Sequence, residues 1–219
     1  VAGDHARHAK LRELGDRQGM AHILLRLSEI RTRLGQYSPA AVLAGEALDY
    51  FRALGDRWGS ARALLGQGRI LLGQNKAAAG VPLLREGLTM FHQAGIKLGA
   101  VECCEVLAQA ATMQGQFAHA VRLCAAATSL RSTIGAARSV REASDHDTAC
   151  VRLRQTLGQP SFDAAWSAGA ALTLEQLITA ALTAEESISA PVGQSPTITL
   201  AIRLTRRERQ VMALLARGL

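Results

Sequence analysis

The chain has 219 residues, 48% of them hydrophobic and only 4% aromatic, enough apolar material for a sizeable core without disulfide or metal staples. Ala, Leu and Gly dominate, which favours packed helices over a β-sandwich. The net charge of +7 is uneven: residues 187–219 hold five arginines against Glu208 alone, a local +4 that leaves +3 for everything before it. The basic excess points to nucleic acid for the tail and says nothing for the body.

No apolar run reaches the length of a membrane span, and no signal-peptide pattern opens the chain. No membrane partner is expected. Cysteines stand at 103, 104, 124 and 150 without a CxxC pair or zinc-ligand spacing, which reads as buried or half-buried thiols in a reducing cytoplasm. The start at Val1 rather than Met suggests a fragment or a processed beginning.

In chain order, residues 1–14 read as the last helix of an earlier unit. A repeat then begins. Leu14-Gly15-Asp16-Arg17-Gln18-Gly19 returns as Leu54-Gly55-Asp56-Arg57-Trp58-Gly59, and Gly15, Gly55, Gly95 and Gly135 are each 40 apart. The same shift aligns three columns of small residues: Ser28, Gly68, Ala108; Ala40, Gly80, Ala120; and Ala47, Gly87, Ala127. Within a unit these columns are 12 and then 7 residues apart. The shorter step stays on one helix face, and the longer one crosses a turn to the next helix, so two antiparallel helices can approach closely. Leu24, Leu27, Leu64, Leu84, Leu88 and Leu107 fill the layers between. Asp16 and Asp56 stand where an N-cap is wanted. The stretches Arg33 to Pro39, Leu72 to Asn75 and Gln114 to Phe117 break one helix and start the next, with glycine supplying the left-handed conformation.

These signals predict helices near 17–34, 38–54, 57–73, 77–93, 97–114 and 118–134. No pair can bury its own apolar face, so units must stack into a superhelix. After Gly135 the register is lost. A helix is predicted over 139–157, a turn at Gly158-Gln159-Pro160, and short helices at 162–168 and 173–182, the last opened by Thr173 and Gln176 as a capping box. Residues 185–203 read as a linker. From Leu204, Thr205 and Glu208 form another capping box, and Val211, Leu214 and Leu215 line one face of a helix that Gly218 closes.

The 40-residue pattern, with its small residues at helix junctions, resembles tetratricopeptide repeats, although the unit is longer than usual and Arg52, His92 and Ser132 stand where a proline would close each unit. The last stretch is very similar to the opening helix of the LuxR-type helix-turn-helix domain, which reads Leu-Thr-x-Arg-Glu-x-x-Val-x-x-Leu-Leu-Ala-x-Gly-Leu. Arg207, Glu208, Val211, Leu214, Leu215, Ala216, Gly218 and Leu219 match it. A generic amphipathic helix is the plain alternative. Segment 162–176 also resembles the region before the linker in large bacterial regulators that join an ATPase module, a repeat region and a terminal helix-turn-helix.

Together these resemblances imply an all-α chain: a tetratricopeptide-like α-α superhelix of helical hairpins over 1–135, a helical cap at 136–184, a linker at 185–203, and a truncated helix-turn-helix start at 204–219. The implied role is the effector- or partner-binding, signal-relay region of a cytoplasmic LuxR-type transcriptional regulator. By resemblance, ATP would bind a missing N-terminal module; no Walker loop occurs here, and no cofactor is expected in this chain. DNA would be bound through the complete helix-turn-helix, whose recognition helix is not among these residues. Thr205, Arg206, Arg207, Glu208 and Arg209 belong to its scaffold helix. The repeat family lines its groove with the first helix of each pair. Here that implies His22, Arg62 and Glu102 in one row and Glu29, Arg69 and Gln109 in the next, for a protein or small-molecule effector; the same residues can also be read as solvated or paired across units. A protein–protein scaffold with no DNA role is the alternative function. No enzyme motif is present, and Asp145-His146-Asp147, taken as near a helix start, reads as cap and dipole chemistry.

Overall fold

The structure, a computed structural model, describes residues 16–183. Among them the chain is all-helical, with no strand. The helix expected over residues 1–14, the linker at 185–203 and the tail helix at 204–219 lie outside the described residues.

Six helices of 17 residues come first: α1 (Arg17–Arg33), α2 (Tyr37–Ala53), α3 (Arg57–Gly73), α4 (Ala77–Gln93), α5 (Lys97–Met113) and α6 (Phe117–Thr133). Their predicted limits hold to within a residue. Each loop closes the helix before it by one device. In the first, the Gln36 amide donates to the Arg31 carbonyl at 2.9 Å and the Gly35 amide to Thr32 at 3.0 Å, with Gly35 left-handed at φ 73°. This pair of bonds satisfies carbonyls that a helix end otherwise orphans. The left-handed residue recurs at 35, 55, 75, 95, 115 and 135, so the turn repeats twice per unit. At the third loop the expectation of glycine is corrected. Asn75 takes φ 60°, while Gly73 stays in the helix with the Tyr37 ring against it, leaving no room for a side chain. Asn tolerates this conformation because its short amide can bond locally.

Asp16 and Asp56 cap α1 and α3 as expected, each accepting from the amide three residues on at 2.8 Å. The three small columns are buried and tight. A Cβ on Gly68 would run into Leu84; one on Gly80 would meet Leu72 at 2.8 Å and the Gly68 carbonyl at 3.3 Å; one on Gly87 would lie 3.3 Å from the Ala61 carbonyl. In the first unit the same junction is a hydrogen bond, Ser28 Oγ donating to the Ala40 carbonyl at 2.9 Å. Phe51 and Phe91, also one unit apart, each lay a ring on the glycine of the following helix, Gly59 and Gly99. Consecutive helices pack on one another, and the first helices of successive pairs, α1, α3 and α5, also touch directly. The predicted leucines Leu24, Leu27, Leu64, Leu84, Leu88 and Leu107 all lie in the core.

The remaining helices are α7 (Val140–Leu157), α8 (Gln159–Ala170) and α9 (Leu174–Thr183). A Ser139–Glu142 capping box opens α7, which places Asp145 and His146 in its second turn, one turn past the cap. The predicted turn at 158–160 contracts to Gly158, at φ 77°. Gln159 and Pro160 already open α8, since proline lacks only an amide that the first turn leaves unpaired anyway. Helix α8 packs against α6 far more than α7 does. It is so close at Gly169 that a Cβ would collide with the Arg122 carbonyl. Thr173 and Gln176 form the expected cap on α9, with bonds of 3.3 and 2.9 Å. Leu177, Ile178 and Ala181 of α9 join the core cluster that holds Leu84, Leu88 and Leu123, and Arg85 Nε donates to the Ala181 carbonyl at 3.2 Å, meeting the negative end of α9 with a cation. No helix among the described residues is long and apolar enough to cross a membrane.

Candidate functional site

The repeat carries the same helix positions forward one unit at a time, so polar residues at equivalent places on α1, α3 and α5 must form rows. The structure brings five of the six predicted groove residues into contacts. Arg62 on α3 reaches both ways: Nη2 donates to Glu29 on α1 and Nη1 to Glu102 on α5, each at 3.0 Å. Arg69 approaches the same Glu102 carboxylate at 3.8 Å. These side chains are only partly buried, so each pair contributes modestly, on the order of 0.5 kcal/mol, and more to register than to stability. His22 is not in this network. Its ring meets Phe51 edge-on at 5.0 Å and tilts against Trp58 at 5.9 Å. Gln109 is exposed and joins none of these pairs.

Two glutamates and two arginines therefore cancel one another across three units. The row presents paired polar groups, with the half-exposed Trp58 indole one turn before Arg62 on the same helix.

Sequence reasoning missed a second polar cluster, at the end of the sixth helix. Arg131 occupies the column of Phe51 and Phe91, one unit further on. It is buried there and grips Glu105 of α5 with both arms, at 2.7 and 2.9 Å. Arg138 donates to the same carboxylate at 2.7 Å and to Thr128 Oγ1 at 3.1 Å. The bidentate fork explains how a charge can replace an aromatic ring in the core. A cationic residue in a column of phenylalanines was the available signal. Next to this cluster, Thr128, Arg131, Ser132, Arg138, His146 and Asp147 line an open cleft of about 510 Å³, and a larger one of about 850 Å³ runs along α7 past Val140, Asp147, Val151 and Arg152.

His146 lies between α6 and α7. Its Nε2 is 3.1 Å from Thr128 Oγ1, its Nδ1 3.3 Å from Asp147 Oδ1, and the Cys150 sulfur 3.7 Å from the ring. Among the described residues no group of three or more His, Cys, Asp or Glu side chains is arranged to hold a metal ion. All four cysteines are free thiols. Burial pushes those of Cys103 and Cys124 up to about 12 and raises Cys104 and Cys150 in the same direction. His119, desolvated and facing Arg122 and Arg85, is held below the ordinary histidine value. Thr205, Arg206, Arg207, Glu208 and Arg209 lie outside the described residues.

Among the described residues, fold and surface together define an all-helical stack of consecutive helices whose first helices carry a self-neutralising polar row. No protein-family model matches the chain, and no curated protein is significantly similar to it.

Proposed function

We propose that the chain is the repeat region of a bacterial LuxR-type transcriptional regulator, of tetratricopeptide-like solenoid form, which receives a protein or small-molecule effector and relays its binding to a DNA-binding domain. The observation that carries the reading is the similarity of residues 204–219 to the opening helix of that domain, following a stack of hairpins with close small-residue contacts at Gly68, Gly80 and Gly87. A stack of this kind suits relay work: successive units share their packing, so ordering one interface biases the next. The row Glu29–Arg62–Glu102–Arg69, with His22 and Trp58 at its side, is the surface we assign to the effector, and the charge balance favours a peptide or a neutral polar molecule. In the cytoplasm the regulator would bind DNA through the complete helix-turn-helix, with ATP in a separate module.

The test is chromatin immunoprecipitation of the intact gene product from its own cells. Enrichment of a few discrete promoter regions is expected. Uniform background over the genome, with defined proteins co-purifying instead, would overturn this reading in favour of the protein–protein scaffold. The chain of residues 1–219 alone is expected to give no sequence-specific gel shift at physiological salt, since base contacts come from the recognition helix.

A further inference from the structure

Helices α6 and α7 are joined by the short connection at 134–139, and Thr128 on α6 meets His146 on α7 at 3.1 Å. One turn back along α6 from Thr128 is Cys124. One turn forward along α7 from His146 is Cys150. Val121 of α6 and Leu153 of α7 share one core cluster, with Cys150 packed against it, so the pairing steps along the two helices in opposite directions and puts Cys124 and Cys150 on facing turns. Two further observations agree. Cys150 lies within electrostatic reach of the Cys124 thiol, and Arg138 acts on both. The Cys150 sulfur also has the His146 ring at 3.7 Å, and it is only half-buried, whereas Cys103 and Cys104 are sealed in the core.

We propose that Cys124 and Cys150 form a reversible disulfide that latches α7 to α6 in response to peroxide, with Cys150 the attacking thiol and His146 its proton acceptor. Cys150 gives its proton to the imidazole, and its sulfur attacks one peroxide oxygen. The O–O bond breaks and the departing hydroxide leaves as water, taking the proton back from His146. Cys150 is then a sulfenic acid. The Cys124 sulfur attacks the Cys150 sulfur, the S–S bond forms, the S–O bond breaks, and a second water carries off the Cys124 proton. Two thiols are oxidised and one peroxide is reduced to two waters. Because burial raises both thiols, neither is a ready thiolate at neutral pH, and the latch responds to sustained rather than fleeting oxidant. It acts on α7, the helix with a single buried residue, Leu153, where a covalent tie changes most.

The experiment treats the full chain with hydrogen peroxide, alkylates it, and maps tryptic peptides without reduction. The expected product joins peptide Leu123–Arg131 to peptide Glu142–Arg152, with the loss of two hydrogens, and dithiothreitol reverses it. In Cys124→Ser, Cys150 carries a sulfenic acid that dimedone traps. In Cys150→Ser, the cross-link vanishes and Cys124 stays unmodified. The oxidised chain melts at a higher temperature than the reduced one, and this rise is absent from both variants. A disulfide from either residue to the Cys103–Cys104 peptide, a dimer through Cys150, or dimedone on Cys124 before Cys150 would each overturn the proposal, as would a chain that keeps all its thiols.

Discussion

Helices α5 and α7 are nearly the same length, yet one buries ten of its 17 residues and the other only Leu153 of its 18. Helix α5 packs against α3, α4, α6 and α9, so tertiary burial holds it. Helix α7 is secured by its ends, the Ser139–Glu142 box and the Gly158 stop, and by polar contacts at His146. A free helix of that length is marginal in water, so α7 depends on local chemistry where α5 depends on packing. The molecule therefore pairs a stack in which one residue's loss is felt by several helices with a terminal element that can be loosened or tightened alone.

The largest expected effect breaks the packed side of this contrast. Phe91→Ala removes a fully buried ring lying on Gly99 and should cost about 3–5 kcal/mol in urea unfolding. Val140→Ala, at a side chain 90% exposed on α7, should stay within about 0.5 kcal/mol. Similar losses for the two would mean that α7 is held by packing after all. Next comes Glu105→Ala, which strands the buried Arg131 and leaves Arg138 without its carboxylate; about 3 kcal/mol should be lost. Glu86→Ala, whose pair with Arg52 is half-exposed, should change stability by less than about 1 kcal/mol. If the two glutamates proved equal, the core role of the Arg131 fork would be wrong.

A smaller effect tests the join between the regions. Gly169→Ala places a methyl against the Arg122 backbone, and backbone yields less readily than a side-chain tip. We expect a loss of about 1–3 kcal/mol, with amide exchange quickened in α8 and along the facing side of α6. An unchanged exchange pattern would show that α8 does not rest on α6 there.

The smallest effect is specific to α7. Bonds from the Ser139 backbone amide and hydroxyl favour the charged Glu142 carboxylate and hold it below its ordinary 4.5. A lowered carboxylate contributes stability that is present above its unfolded value and lost as pH falls through the folded one. Acidification from pH 5 should therefore fray the first turn of α7, seen as faster amide exchange at 140–144, before any loss in α5. Ser139→Ala should produce the same fraying at neutral pH. Protection that persists in both experiments would place the hold on α7 elsewhere.

Much of the fold was legible because its rules act over few residues. Glycines 20 apart end helices through the left-handed turn, aspartates cap, and small residues in columns mark where helix axes approach. Six helices followed within a residue of their observed limits. Asn75 escaped notice because Gly73 stood nearby and the steric demand of Tyr37 on Gly73 is not a local signal. The polar row on α1, α3 and α5 was legible as a row but not as a circuit: that Arg62 would close on both Glu29 and Glu102 depends on how far apart the helices settle. Arg131 was missed because a charge in an aromatic column makes sense only once Glu105 and Arg138 converge on it.

By itself the amino-acid order determined the rhythm of this protein, namely helix lengths, turn chemistry and the faces that must be buried, since sterics, capping and hydrophobic period are settled between near neighbours. The tertiary structure alone decided that α8 packs on α6 far more than α7 does, that a buried arginine replaces a phenylalanine, and that His146 comes to meet Thr128. Those outcomes rest on competition between segments far apart in the chain, where desolvation and packing are balanced only after the helices have met.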